Sequence, residues 1–242
     1  MHLLGSYVLF IRESILRILD FRRLFDSFIN ECGKVGSKSL TVVSIVSILT
    51  GAVSAIQTTY ALSAPYIQDY VVGMIVRDTT FALIPTLVAL VFAGKAGSGI
   101  SGELGSMQVS EQIDALEIMG VNPISFLVLP KILASVFMVP VLIIIAVFLA
   151  LMSGYLTVTA LDLISGTDYI TGIRSDFNGF IVTITLIKAL FYGFLVSSIS
   201  SFSGFHTKGG ALEVGKSNTK AIVRSSILIL VSEYFITSLY GF

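Results

Sequence analysis

Glu111, Asp114 and Glu117 follow one another at intervals of three, a spacing that stacks their carboxylates along one side of a helix. Such a set could serve general acid/base chemistry, but no nucleophile or base stands near it in the chain, so a docking face is the simpler chemistry. A second pattern, Gly210 to Ser217, satisfies the G-x-x-x-x-G-K-[ST] spacing of a phosphate-cradling loop, with Lys216 and Ser217 in its last two positions. That loop works only when a buried strand delivers it and a soluble helix leaves it. Here apolar spans flank it, so ATP binding is expected on another chain. His2 and His206 are the only histidines and have no metal-ligand spacing, so neither a metal nor a cofactor is expected. No serine sits in a Gly-x-Ser-x-Gly elbow, and Ser197, Ser198, Ser200 and Ser201 read as helix-packing residues. The single Cys32 excludes an internal disulfide. Catalysis by this chain is not expected.

The remaining chemistry lies in stretches otherwise apolar. Arg77, Asp78, Lys188 and Glu233 are ionisable groups at the rim or inside predicted membrane spans, where a charge costs a few kcal/mol and faces a cavity, a partner or a polar ligand. Arg77 and Lys188 suit a phosphate headgroup, the arginine through its bidentate fork. Gln57 offers such a headgroup a hydrogen bond, or joins two helices. The alternative is internal pairing, Arg77 with Asp78 or Glu233 with Lys188.

The elements that must hold these groups are set by composition. Of 242 residues 55% are hydrophobic and 12% charged, about half the charge of a soluble domain, and the mean hydropathy is +0.93. Several apolar runs reach the ~20 residues that cross a bilayer. The expected fold is an all-α integral membrane protein of one domain, 1–242. Residues 1–36 form an interfacial amphipathic helix, and 37–242 a five-span region with a short coupling helix at about 110–120. In the first segment Ile11, Ile15, Phe25 and Phe28 recur at helical spacing against Glu13, Arg17 and Asp20. The spans are expected near 40–62, 71–93, 131–158, 177–202 and 221–240. Zero net charge argues for no nucleic-acid partner. Placing the N-terminus in the cytoplasm and the C-terminus in the periplasm puts 12 of the 15 basic residues inside, leaving Arg77, Arg174 and Lys188.

The interval from Glu103 to Gly120 then lies in the cytoplasm, with four acids and no base. Ser110 reads as an N-cap, Gly120 as the C′ residue and Pro123 as a stop. Ile113, Leu116 and Met119 share a side of this helix. It reads equally as a handle for a partner or as an ordinary solvated loop helix.

Phe92 to Ser98, Glu103 to Met107, Ser110 to Leu116, Met119 to Pro123 and Leu129 to Lys131 resemble the signature of the MlaE (YrbE) family, permease subunits of phospholipid ABC transporters in diderm bacteria. The resemblance implies a permease in the bacterial inner membrane that moves phospholipid between inner and outer membranes, built as a homodimer with a lipid cavity at its interface. A cytoplasmic ATPase subunit would seat the coupling helix through Glu103, Met107, Glu111, Ile113, Asp114, Leu116, Glu117, Met119 and Gly120, and a periplasmic MCE-domain protein would exchange the lipid. Lys188 resembles the family's lysine in the fourth span, and Glu233 to Thr237 resembles its Asp-Tyr-x-Leu-Thr, with Glu for Asp. The family's Arg-Glu-x-Gly-Pro motif is kept only at Pro85, with Arg77 one turn before the aligned residues. Gln57, Arg77, Lys188 and Glu233 are accordingly the expected lipid contacts. The competing reading is an ion-coupled secondary transporter or channel for a small amphiphile, working through Arg77, Lys188 and Glu233. The absence of inverted repeats and of paired broken helices stands against it.

Overall fold

Apolar runs this long can satisfy their own backbone N–H and C=O groups in lipid only as helices. The computed structural model describes residues 2–16, 21–62 and 68–240, and all regular structure among them is helical. In order these are α1 (His2–Leu16), α2 (Phe21–Ala61), α3 (Tyr70–Phe92), a π-helical stretch (Ala93–Gly97), and α4 (Ser98–Val109). There follow α5 (Gln112–Ile118), a second π-helical stretch (Ile124–Val128), α6 (Leu129–Ala160), α7 (Gly166–Arg174), α8 (Gly179–Phe205) and α9 (Ala211–Tyr240). Among the described residues five helical runs are long and apolar enough to cross a membrane: Leu24–Ala61, Tyr70–Val109, Ile124–Ala160, Gly179–Phe205 and Ala211–Leu239. The five-span expectation holds.

Several boundaries differ from the sequence reading. Of the expected 1–36 amphipathic helix, the described residues lie in α1 and in the first part of α2, which runs into the first span. Phe25 and Phe28 therefore belong to the spanning helix. Arg17 and Asp20 lie outside the described residues. The second span does not stop near Ala93: a π turn keeps the chain helical to Val109, so glycines that read as a loop are helical. Likewise α9 begins at Ala211 rather than near residue 221, absorbing the Gly210–Ser217 pattern from its second residue on.

The chain divides into two compact units: residues 1–39, 89–139 and 190–241 in the first, and 40–88, 140–189 and 242 in the second. The division sorts the charges. Among the described residues eleven of fourteen basic residues fall in the first unit, and Arg77, Arg174 and Lys188 in the second.

The first unit is centred on Phe10, Ile100, Leu104, Val128, Ile132 and Phe202, with Phe10 meeting Phe202 edge-on at 5.5 Å. Tyr7 donates or accepts a 2.6 Å bond with Ser198 Oγ, which ties α1 to α8. Burial of Tyr7 pushes its phenol up, against the opposing pull of that bond. Small residues permit the closest crossings: a Cβ at Gly193 would lie 2.7 Å from the Ser135 carbonyl oxygen. In the second unit Ala55, Val72, Val76, Val158 and Tyr169 form the core, and Tyr169, fully buried, donates to the Leu151 carbonyl at 3.3 Å. α7 is capped by Ser165, whose Oγ accepts from Thr167 N, and packs on the start of α3 where Gly73 faces Gly172. Ser197, Ser198, Ser200 and Ser201 are all buried, as packing residues should be.

Candidate functional site

The polar interval of the sequence becomes a helical hairpin. α4 continues the second span, and Ser110 closes it: the Ser110 hydroxyl donates back to the Ser106 carbonyl at 2.8 Å. Ser110 is thus a C-terminal residue of α4 and not the N-cap expected from sequence. Its hydroxyl finds a carbonyl one turn back, and the chain reverses at Glu111, whose φ of 58° is left-handed. α5 follows from Gln112 to Ile118 and ends as anticipated at Gly120, with φ of 77°. Gly120 N bonds the Glu117 carbonyl at 2.9 Å and Val121 N the Leu116 carbonyl at 3.0 Å, the paired bonds of a Schellman ending. Asn122 then starts the next helical stretch, its Oδ1 accepting from Ile124 N at 3.0 Å and Ser125 N at 3.3 Å. The same side chain donates through Nδ2 to Glu13 Oε1 at 3.2 Å, fastening the hairpin to α1.

On this hairpin Ile113 is buried and Leu116 half-buried, while Met119 is 67% exposed. Ile118, which sequence reasoning passed over, is 87% exposed. Glu111, Asp114 and Glu117 are exposed around this apolar tip, and Met107 is half-buried on α4. Ile118 was missed because a lone isoleucine beside a helix end carries no periodic signal.

Glu103 stands apart from that acidic face. Its carboxylate meets Lys131 at 2.5 Å and Lys34 at 3.5 Å, and Lys131 also meets Glu31 at 3.1 Å. Lys34 closes the ring on Glu31 at 2.8 Å. The four groups join α2, α4 and α6. Lys131 is 3% exposed, so its ammonium requires both carboxylates. Neither Glu31 nor this ring was read from sequence; the only hint is opposite charges recurring inside apolar helices.

In the second unit Arg77 is 2% exposed and is bonded within the chain. Its Nε donates to Asp78 at 2.8 Å, and its Nη1 donates to the carbonyls of Ile173 at 3.0 Å and Ser175 at 2.5 Å. The guanidinium also lies 5.9 Å from the Phe177 ring centre. Of the two sequence alternatives for Arg77, internal pairing is the one present. Lys188 is buried on α8, and Gln57 is exposed on α2. In the first unit Glu233 accepts from the Tyr192 hydroxyl at 2.5 Å and from Thr237 Oγ1 at 3.0 Å.

The Gly210–Ser217 pattern has no cradle geometry. Its residues from Ala211 onward form the first turns of α9, so their N–H groups point along a helix axis instead of converging on a phosphate. Lys216 pairs with Glu213 at 2.6 Å and Ser217 donates to the Ser203 carbonyl at 2.7 Å.

Comparison with known proteins is consistent with this arrangement. The family described as permease MlaE matches residues 28–239. A probable ABC transporter permease of Rickettsia bellii is 36% identical over 238 residues, covering 98% of this chain and 92% of that protein. One from Synechocystis is 30% identical over 225 residues, 93% of this chain and 86% of that protein. The chloroplastic protein trigalactosyldiacylglycerol 1 of Arabidopsis thaliana is 29% identical over 228 residues, 94% of this chain and 65% of its own length.

Proposed function

The chain belongs to the permease MlaE family, and from that membership we propose that it is the membrane-spanning subunit of an ATP-driven transporter that moves phospholipids between the inner and outer membranes of a diderm bacterium. The observation that carries the proposal is the hairpin of α4 and α5: an exposed Ile118–Met119 tip ringed by Glu111, Asp114 and Glu117, at the end of a helix continuous with a membrane span. A greasy tip inside a charged ring matches the anatomy of a protein interface, with an apolar centre and a polar rim. A cytoplasmic ATPase subunit is its partner in this reading, and nucleotide-driven movement enters the span through α4. Glu103 belongs to the same lever through its ion pairs, and Met107, Ile113 and Leu116 form its packed side.

The remaining parts follow the family resemblance. Two copies pair around a lipid cavity, a periplasmic MCE-domain protein exchanges the lipid, and this subunit makes or breaks no covalent bond. By that resemblance Gln57, Lys188 and Glu233 are each lipid contacts, and Arg77 fixes the loop after α7. The N-terminus is cytoplasmic and the C-terminus periplasmic, supported by the twelve of fifteen bases that this placement puts inside. The glycerolipid in the name of the Arabidopsis relative supports a lipid substrate.

Purification in mild detergent from its native cell tests this. The reading predicts a stable complex with an ATPase and an MCE-domain protein, carrying phospholipid. Ile118→Arg is expected to abolish ATPase association while membrane insertion is unchanged. A secondary transporter or channel would purify alone and be indifferent to ATP, and retained ATPase binding by Ile118→Arg would remove the docking role.

A further inference from the structure

Within the first unit a cationic hollow of about 340 Å³ adjoins an apolar trough of about 520 Å³, and Phe202, Ser203 and Arg224 line both. His206, Lys208, Lys220 and Arg224 face the hollow. Its one acid, Glu213, is already paired with Lys216 at 2.6 Å, and no ion pair of Lys208, Lys220 or Arg224 is present among the described residues. Phe191, Phe194, Ile227 and Leu228 line the trough. Lys220, Arg224 and Leu228 succeed one another at i+4 on α9, so one helix face passes from charge to grease. At the junction Ser203 is 8% exposed, and its hydroxyl has no hydrogen-bond partner among the described residues. A buried hydroxyl without a partner is costly and marks a place where a ligand oxygen belongs.

We propose that this groove binds one anionic phospholipid, as a site separate from Lys188 and Glu233. The phosphodiester sits among Lys208, Lys220 and Arg224, where the arginine fork can grip two of its oxygens. Ser203 donates to the ester region, and one acyl chain lies along Phe194 and Leu228. In a membrane the trough by itself discriminates nothing, because an acyl chain is already solvated by its neighbours. Selection must come from the bases, which favour a net negative headgroup over a zwitterionic one.

Native mass spectrometry of the full chain released from nanodiscs of equal phosphatidylglycerol and phosphatidylcholine reads the site directly. One phosphatidylglycerol per chain is expected to stay bound, preferred over phosphatidylcholine by roughly tenfold or more. Lys220→Gln with Arg224→Gln should bring that preference to near unity. Leu228→Trp, a change at an exposed position, should displace lipid by filling the trough while thermal unfolding stays unchanged. Equal retention of the two lipids, unaltered preference in the double variant, or undisturbed lipid in Leu228→Trp would each overturn the proposal. So would displacement by millimolar inorganic phosphate, which would mark a free-anion site. ATPase docking through Ile118 is not read by this measurement, so the two proposals fail independently.

Discussion

Lys131 Nζ and Glu103 Oε2 lie 2.5 Å apart, joining the start of α6 to the middle of α4 just above the hairpin that carries Ile118. The lysine is 4% exposed along its side chain and the glutamate 43%, so the pair is asymmetric: one partner is buried, the other reaches solvent. Removing the buried base leaves Glu31 and Glu103 with Lys34 alone to compensate them. Lys131→Met is expected to cost about 2 kcal/mol, below the ~3–5 kcal/mol of a wholly buried pair because Glu103 can turn to water. Melting in detergent checks this. Glu103→Gln in the Lys131→Met background should recover part of the loss.

Gly120 occupies φ of 77° and closes the Schellman turn after α5. A Cβ there meets no neighbouring atom, so the penalty of substitution is conformational alone. Gly120→Val should loosen α5 by about 1–2 kcal/mol, with Gly120→Asn milder. Hydrogen exchange across residues 112–121 reports the difference, and ATPase affinity should fall in the same order.

Arg77 holds two carbonyls and one carboxylate with a single planar group. A lysine has the charge but cannot span Asp78, Ile173 and Ser175 together. Arg77→Lys should therefore cost about 2 kcal/mol and raise exchange in residues 166–176, while leaving the α4–α5 hairpin unchanged. A uniform change over the whole chain would contradict the local role.

Lys216 stands where a nucleotide-binding loop would have its phosphate-gripping lysine, yet it belongs to the second turn of a helix and pairs with Glu213. Lys216→Ala should leave ATP turnover of the reconstituted complex within about twofold of the parent. A loss of a hundredfold or more would show that this chain handles nucleotide itself.

Five spans, their approximate places and the acidic helix between the second and third were legible because long apolar runs and Gly/Pro punctuation act locally. What escaped the reading depends on atoms far apart in the chain. Ser110 has the composition of an N-cap, but its hydroxyl turns back to Ser106, since α4 already supplies a helix for it to end. Continuation of the second span through Lys95 was hidden by Gly94, Gly97 and Gly99, which mark loops in soluble proteins; of the three, Gly97 makes a close crossing here. Glu103 reads as one of four acids, and only the fold reveals Lys131, 28 residues on, as its partner. Arg77 similarly needed Ile173 and Ser175, nearly a hundred positions away.

The π-helical stretch Ala93–Gly97 contains one residue more than an α-helical turn would need, and Gly94 within it faces open space. Shortening the chain by that single glycine would convert the stretch to ordinary α geometry while leaving both flanking rods intact. The site should therefore absorb a one-residue deletion that any neighbouring turn would reject, so length variants of this protein are to be sought at Gly94 before anywhere else along the second span.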